Sequence, residues 1–214
     1  GYGAAVEMKG SAANTYSGTT YSSGTLTLRK PTASAPAIPG DLVVLCGTVE
    51  FSGSITQNQI ARYADVTIEA LGKLAGGGNA GTQDFGGVVT INGGTWLGNY
   101  SISHHAFDAP GFGLCFNGGR FGVSADNSTG NYYLLTDVSY AAASGTQAVF
   151  QNNGSGTQVL HLTESGKGSG VRTFAVTNSA VLAADVPEMV MDMALYEANT
   201  SESGGLTKAA SGTL

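Results

Sequence analysis

The side chains best able to do chemistry in this chain are its few histidines and a scatter of carboxylates. His104 and His105 are adjacent, Asp108 follows closely, and His161 lies further along. Imidazoles and a carboxylate form a donor set that zinc accepts. Adjacent residues of a strand point to opposite faces, however, so neighbouring histidines rarely chelate together, and Pro110 places this cluster in a polar loop. No metal and no cofactor are expected. Asp84, Asp108, Asp126 and Asp137 are the candidates for the acid–base pair of glycoside cleavage. They are dispersed, with no Asp-x-Asp or Asp-Asp pair, and turn-forming Asp accounts for them. Gly154-Ser155-Gly156 and Gly168-Ser169-Gly170 read as turns and not as nucleophile elbows. Gly76-Gly77-Gly78 lacks the Lys-Ser/Thr of a phosphate loop. The chain therefore reads as a non-enzyme, with a β-helical polysaccharide-active enzyme as an alternative. Aromatic rings offer a different chemistry, since sugars stack on them. Trp96, Tyr100 and Tyr132 are the candidate ligand-binding residues, with Tyr133, Phe107 and Phe112 nearby in sequence. The competing use of Trp96 is as an aromatic packed in the interior.

Composition narrows the setting. The 214 residues include 33 Gly, and only 11% are charged, where an ordinary globular domain is about a quarter charged. Ser, Thr, Asn, Gln and Gly must cover the surface, as in secreted β-rich fibres and shafts. Net charge is −6, and Arg29-Lys30 is the only adjacent basic pair. A concentrated positive face for releasing phosphate counterions is missing, so no nucleic-acid partner is expected. No apolar run approaches the length of a membrane helix, and the first residues lack the basic start of a signal peptide, so membrane insertion is not expected. Such a chain would be a mature form or a fragment. Cys46 and Cys115, each in an apolar stretch, are candidates for a disulfide outside the cell or for two thiols acting as small hydrophobes.

The elements that would carry these groups are mostly short strands. Thr25-Leu26-Thr27-Leu28 alternates at period two. The Pro-rich stretch 31–40 reads as a linker or edge crossing. Residues 41–46 and 48–55 read as a β pair broken at Gly47. Thr56 and Gln59 have capping-box spacing, and Ile60, Tyr63, Ala64, Ile68, Leu71 and Leu74 fall on one helical face, so a helix is expected there. The β-branched run Val66-Thr67-Ile68 argues for a strand instead. Strand signals at 87–92, 95–103, 112–116, 120–124, 132–140, 147–151 and 157–163 are separated by Asn/Gly turn clusters. Residues 171–176 alternate, and 185–196 fits either a short helix opened by Pro187 or a strand of buried Met and Leu. Many short strands with close turn signals describe a solenoid, a sandwich or a barrel.

The two ends carry matching fragments. Near one end stand Gly10, Asn14-Thr15-Tyr16, Gly18-Thr19-Thr20 and Gly24-Thr25-Leu26; near the other, Gly204-Gly205-Leu206-Thr207-Lys208 and Gly212-Thr213-Leu214. Joined tail to head, they resemble the autotransporter-associated β-strand repeat of bacterial surface proteins. Ala210 departs from that motif, standing where it usually has Gly, and Ser11-Ala12-Ala13 lengthens the spacer before Asn14. Residues 31–200 do not match it. The resemblance implies a right-handed parallel β-helix, a surface location, and a role in adhesion or scaffolding, with no catalytic residues to carry over. One such coil cannot bury its own apolar face, so coils must stack.

The resulting expectation is a mainly β protein, β-helix or solenoid-like, with one or two short helices; the alternative is a β-sandwich. Residues 1–30 form a repeat-like β segment, 31–200 the main β-rich domain, and 201–214 a half motif completing a neighbouring chain. The function expected is extracellular and structural: a self-assembling filament, layer or stalk subunit, with adhesion as a further role. A carbohydrate-binding or virion-surface β module is the alternative. Its partners would be copies of itself, stacked head to tail through Asn14, Tyr16, Gly18, Leu206, Thr207, Lys208 and Leu214, together with surface glycans.

Overall fold

The computed structural model describes residues 4–31, 36–52, 58–76, 83, 85–98, 102–104, 112–123, 131–141, 145–152, 159–162, 170–183, 185–196 and 204–214. Among these every regular element is a β-strand, so the expected short helices are absent from the described residues. In chain order the strands are β1 (Ala5–Lys9), β2 (Thr20–Ser22), β3 (Thr25–Arg29), β4 (Leu42–Phe51), β5 (Val66–Gly76) and β6 (Val89–Asn92). They continue with β7 (Thr95–Gly98), β8 (Ile102–His104), β9 (Phe112–Phe116), β10 (Gly119–Val123), β11 (Asn131–Leu134) and β12 (Asp137–Tyr140). The last are β13 (Ala148–Asn152), β14 (Val159–His161), β15 (Gly170–Val176), β16 (Met189–Met191), β17 (Ala194–Tyr196) and β18 (Gly204–Ala209).

Every strand pair is parallel. A 14-stranded sheet contains strands from all three expected sequence regions, and β8, β11, β14 and β17 form a second, 4-stranded sheet. The pairing steps along the sequence are regular: Leu42 pairs with Val66, Val66 with Val89, Val89 with Leu114, and Leu114 with Val138. Each step is about two dozen residues, so the chain returns beside itself once per coil. The Asn92-Gly93-Gly94 and Asn117-Gly118-Gly119 clusters therefore make corners of a coiled, solenoid-like sheet and not the hairpins of an antiparallel sandwich.

Gly47 shows how a corner works. It breaks no strand pair, because residues 42–44 and 48–51 lie on different walls. Residues 42–44 neighbour β2, while 48–51 neighbour β3. Gly47 turns the chain between them at φ +80°, and a Cβ there would collide with the Gly24 carbonyl oxygen. A side-chain-bearing residue is strained in this left-handed region.

The stretch expected to be helical is β5. Its period is two: Val66, Ile68 and Leu74 are buried, whereas Leu71, on the supposed apolar helix face, is 80% exposed at a corner. The β-branched run fits the pleat, and pairing to β4 and β6 outweighs the local helical spacing. Residues 185–196 likewise hold β16 and β17.

The interior consists of in-register ladders, one residue per coil. Leu42, Val66, Val89, Leu114, Val138 and Phe174 form one; Val44, Ile68, Ile91, Phe116, Tyr140 and Val176 a second; Leu26, Val49, Leu74, Trp96, Phe121, Phe150 and Met191 a third. All except the half-buried Met191 are buried. Full burial of an aliphatic side chain is worth roughly 1.5–3 kcal/mol, so the stacking of coils is the main favourable term of the fold.

Candidate assembly surfaces at the two ends

At the first coil, Val6 and Met8 stand in the ladders of buried Leu26 and Leu28, yet Val6 is 51% exposed, since among the described residues no strand covers β1 on its outer side. Thr20 and Ser22 stand likewise above buried Leu42 and Val44. Hydrogen bonds tie this coil down. Asn14 Nδ2 donates to the Ala37 carbonyl (2.6 Å), and Tyr16 Oη donates to the same carbonyl (3.3 Å) and bonds Thr20 Oγ1 (2.9 Å). Lys30, 3% exposed, sends Nζ up to the Ala12 carbonyl (2.6 Å) and Asn14 Oδ1 (3.1 Å). Gly18 lies over Gly40, where a Cβ would sit 2.6 Å from the Gly18 oxygen. Asn14, Tyr16 and Gly18 thus serve contacts within the chain, fastening the first coil to the second. A groove of about 770 Å³ opens at this end, lined by Val6, Met8, Thr20, Tyr21, Leu26 and Cys46 among others.

At the last coil, β16, β17 and β18 are the outer strands. Leu206 packs against the core, while Thr207, paired with Thr173, is exposed. Lys208 occupies the ladder position after Phe174, an inward position, yet it is exposed, with no strand paired below it among the described residues; its Nζ donates to the Ala210 carbonyl (2.8 Å). Ala210 takes φ +66°, the conformation for which Gly is the usual residue.

Residues 212–214 lie against the edge of the stack. Gly212 N donates to the Val176 carbonyl (2.7 Å), Thr213 N to Glu188 Oε2 (2.7 Å) and Met189 N to the Thr213 carbonyl (3.2 Å). The last bond has the same offset as Ala148 N to the Glu188 carbonyl within the Ala148–Met189 pair, so Leu214 is the next residue beneath Met189. Backbone N–H groups of Thr213 and Ser179 hold the Glu188 carboxyl below its usual range. Past Leu214 a groove of about 580 Å³ opens beneath Met189, Val190 and Met191, flanked by Val186 and Pro187.

The other expected site residues fall elsewhere. Trp96 is 1% exposed, edge-on to Phe85 and Phe121 at 5.0 Å each, in an interior stack that continues through Phe150 and Phe174. It presents no face to a sugar and is a core residue. Tyr132 belongs to β11, in register with Ile102 and Leu160, but its side chain lies outside the described residues, as do Tyr100, His105, Asp84, Asp108 and Asp126. Asp137 Oδ1 accepts from Thr173 N (2.8 Å), a coil-to-coil bond. No disulfide joins Cys46 and Cys115. Their strand neighbours differ: Cys46 pairs with Leu71, and Cys115 with Thr90 and Ser139. His161 is buried, which pushes its pKa down. Among the described residues, no three His, Cys, Asp or Glu side chains come together as metal ligands.

The polar residues that do most to join coils escaped sequence reading. Gln59 Oε1 accepts from Lys30 N (2.7 Å), and its Nε2 donates to the Lys30 carbonyl (3.0 Å). Gln83 Oε1 accepts from Gln59 N (2.7 Å) and Ile60 N (3.2 Å), and its Nε2 donates to the Ile60 carbonyl (3.1 Å). Asp41 and Asp65 repeat the device on another corner, receiving Asp65 N (2.9 Å) and Val88 N (2.8 Å). The recurrence of Gln and Asp at one-coil spacing is the signal that would have found them. Comparison with family models, with curated proteins and with solved structures yields no match to this chain.

Proposed function

We propose that this chain is an extracellular structural protein with a parallel β-helical fold, whose job is to stack end to end into a filament, layer or stalk. Adhesion would be an activity of the finished assembly and catalysis no part of it. The observation carrying the reading is the pair of end coils that no described strand covers. β1 and β2 at one end, and β16, β17 and β18 at the other, are each parallel to the strands they pair with, and inward ladder positions at these ends, Val6 and Lys208, are exposed to solvent. Unpaired strand edges template association. A parallel stack is polar along its axis, so its first coil meets the last coil of another copy; contacts between unlike surfaces of this kind propagate into open filaments. The low charge, the Gly-rich composition and the resemblance of the end motifs to surface-protein repeats agree with this setting. Negative-stain electron microscopy of the purified chain at high concentration tests it. Filaments or ordered sheets of unbranched rods are expected; dispersed particles at every concentration would overturn the proposal.

A further inference from the structure

Resting on that reading, we infer the register of the joint: Ala5 of a second copy lies beneath Val190, Val6 beneath Met191, and Thr20 beneath Lys208. Continuous ladders dictate this. Ala5 pairs with Thr25, and the series runs through Thr48, Lys73, Thr95, Arg120 and Val149 to Val190. Thr20 pairs with Leu42, and that series runs through Val66, Val89, Leu114, Val138 and Phe174 to Lys208. The same two walls bound the first coil and the last: β1 and β16 end one, β2 and β18 the other. An unrelated partner has no reason to match both walls at once; a second copy does.

The side chains meeting at this register are complementary. Val6, exposed on its own coil, covers Met191, which is only half-buried, and fills the groove beneath Val190 and Met191. Lys208 is the only charge in an otherwise apolar inward ladder, and the incoming member of that ladder is the hydroxyl-bearing Thr20, where apolar residues occupy every coil between. The Lys208 ammonium thus meets a hydrogen-bond acceptor in place of a hydrocarbon. Leu214 already holds the place beneath Met189 that the incoming Ala4 would take, so Ala4 must give up its position beside Gly24 for Ala5 to follow Leu214 in that strand, a cost to the joint. On the outer face Glu7 comes beneath Asp192, a like-charge contact that opposes the joint at low salt.

The test is disulfide trapping in the full chain with Cys46→Ser and Cys115→Ser. A variant carrying Val6→Cys and Met191→Cys places two thiols on neighbouring parallel strands, within the Cα separation a disulfide spans. Under mild oxidation a non-reducing gel should show a ladder of dimers, trimers and higher multimers, lost on reduction. A variant with Glu7→Cys and Met191→Cys, slipped by one residue, points its thiols to opposite faces and should stay at least tenfold less cross-linked. Circular dichroism confirms that both variants fold. Filaments by microscopy with no ladder, or with equal ladders from both variants, would overturn this register while leaving end-to-end stacking intact. No filaments and no ladder would overturn both.

Discussion

Replacing Gln59 by Leu isolates the amide ladder as the device that fastens coils. The Gln59 carboxamide satisfies two buried backbone groups one coil away, the Lys30 N–H (2.7 Å) and the Lys30 carbonyl (3.0 Å). Leu keeps the volume and leaves both without that partner. A buried polar group stripped of its bond costs about 1–3 kcal/mol, so the two together cost about 2–6 kcal/mol. Apolar burial of Leu returns roughly 1–2 kcal/mol of this, which leaves a net loss of about 0–5 kcal/mol, centred on about 2–3 kcal/mol. A domain's whole stability is about 5–15 kcal/mol. The damage should also be local, because in a stacked array each coil leans only on its neighbours. Urea denaturation gives the total, and native-state amide exchange locates it: the Lys30 and Gln59 amides should lose protection, while those of β13 and β15 keep theirs. A variant whose Lys30 amide exchanges as slowly as in the parent, with a loss below about 0.5 kcal/mol, would refute the ladder argument.

Other residues make sharper, smaller claims. Ala210→Gly relieves a left-handed Ala worth about 1–2 kcal/mol against an unfolded-state cost of about 0.4–1 kcal/mol; the net gain of up to roughly 1.6 kcal/mol should be visible as a raised urea midpoint and slower exchange near β18. Gly47→Ala meets both a φ of +80° and the Gly24 carbonyl, so expression of soluble folded protein should fall, which thermal melting will register. His161 is held neutral by burial, with its folded pKa below the usual 6.5. The unfolded chain takes up that proton first, so stability is complete above about pH 6.5 and declines as pH falls through 6.5 toward the lowered value. His161→Gln should remove this part of the pH dependence in denaturation curves. Glu188 titrates below its usual 4.5, so its contribution is present above 4.5 and lost as pH falls through the lowered folded value. Acid, or Glu188→Gln at neutral pH, should speed exchange at the Thr213 and Ser179 amides.

What could be read from the residues was mostly what lies within one strand. Thr25 to Leu28 and residues 171–176 alternate and are strands, and the Asn/Gly clusters do mark the ends of elements. What could not be read was set by neighbours a coil away. Between Ile60 and Leu74 the apolar residues keep helical spacing, but they serve a corner and two walls: Ile60, Ala64, Ile68 and Leu74 face inward, while Tyr63 and Leu71 face solvent. Trp96 read as a sugar platform because sugars stack on aromatic rings and it is the single Trp; the fold turns it into the core between Phe85 and Phe121 instead. Gln59 and Gln83 are unremarkable until the fold lays one above the other.

The same logic explains why one inward ladder ends on residues that are wrong for an interior. A solenoid-like sheet whose inward ladders ran apolar to the last coil would expose a sticky mouth and aggregate without register. Here the ladder that holds Leu42 through Phe174 stops at Lys208, and its counterpart at the opposite end is Thr20. An inward-pointing charge penalises any partner that offers hydrocarbon at that level, because the ammonium would be buried without a bond. It penalises a partner offering a hydroxyl far less. If copies stack as proposed, Lys208 would weaken end-to-end contact in general while sparing the contact with Thr20, trading strength for register. Lys208→Leu should consequently raise the extent of association seen by light scattering and lower its order, giving clumps in place of rods under the microscope. Rods of unchanged order from that variant would show that Lys208 has no part in choosing the partner.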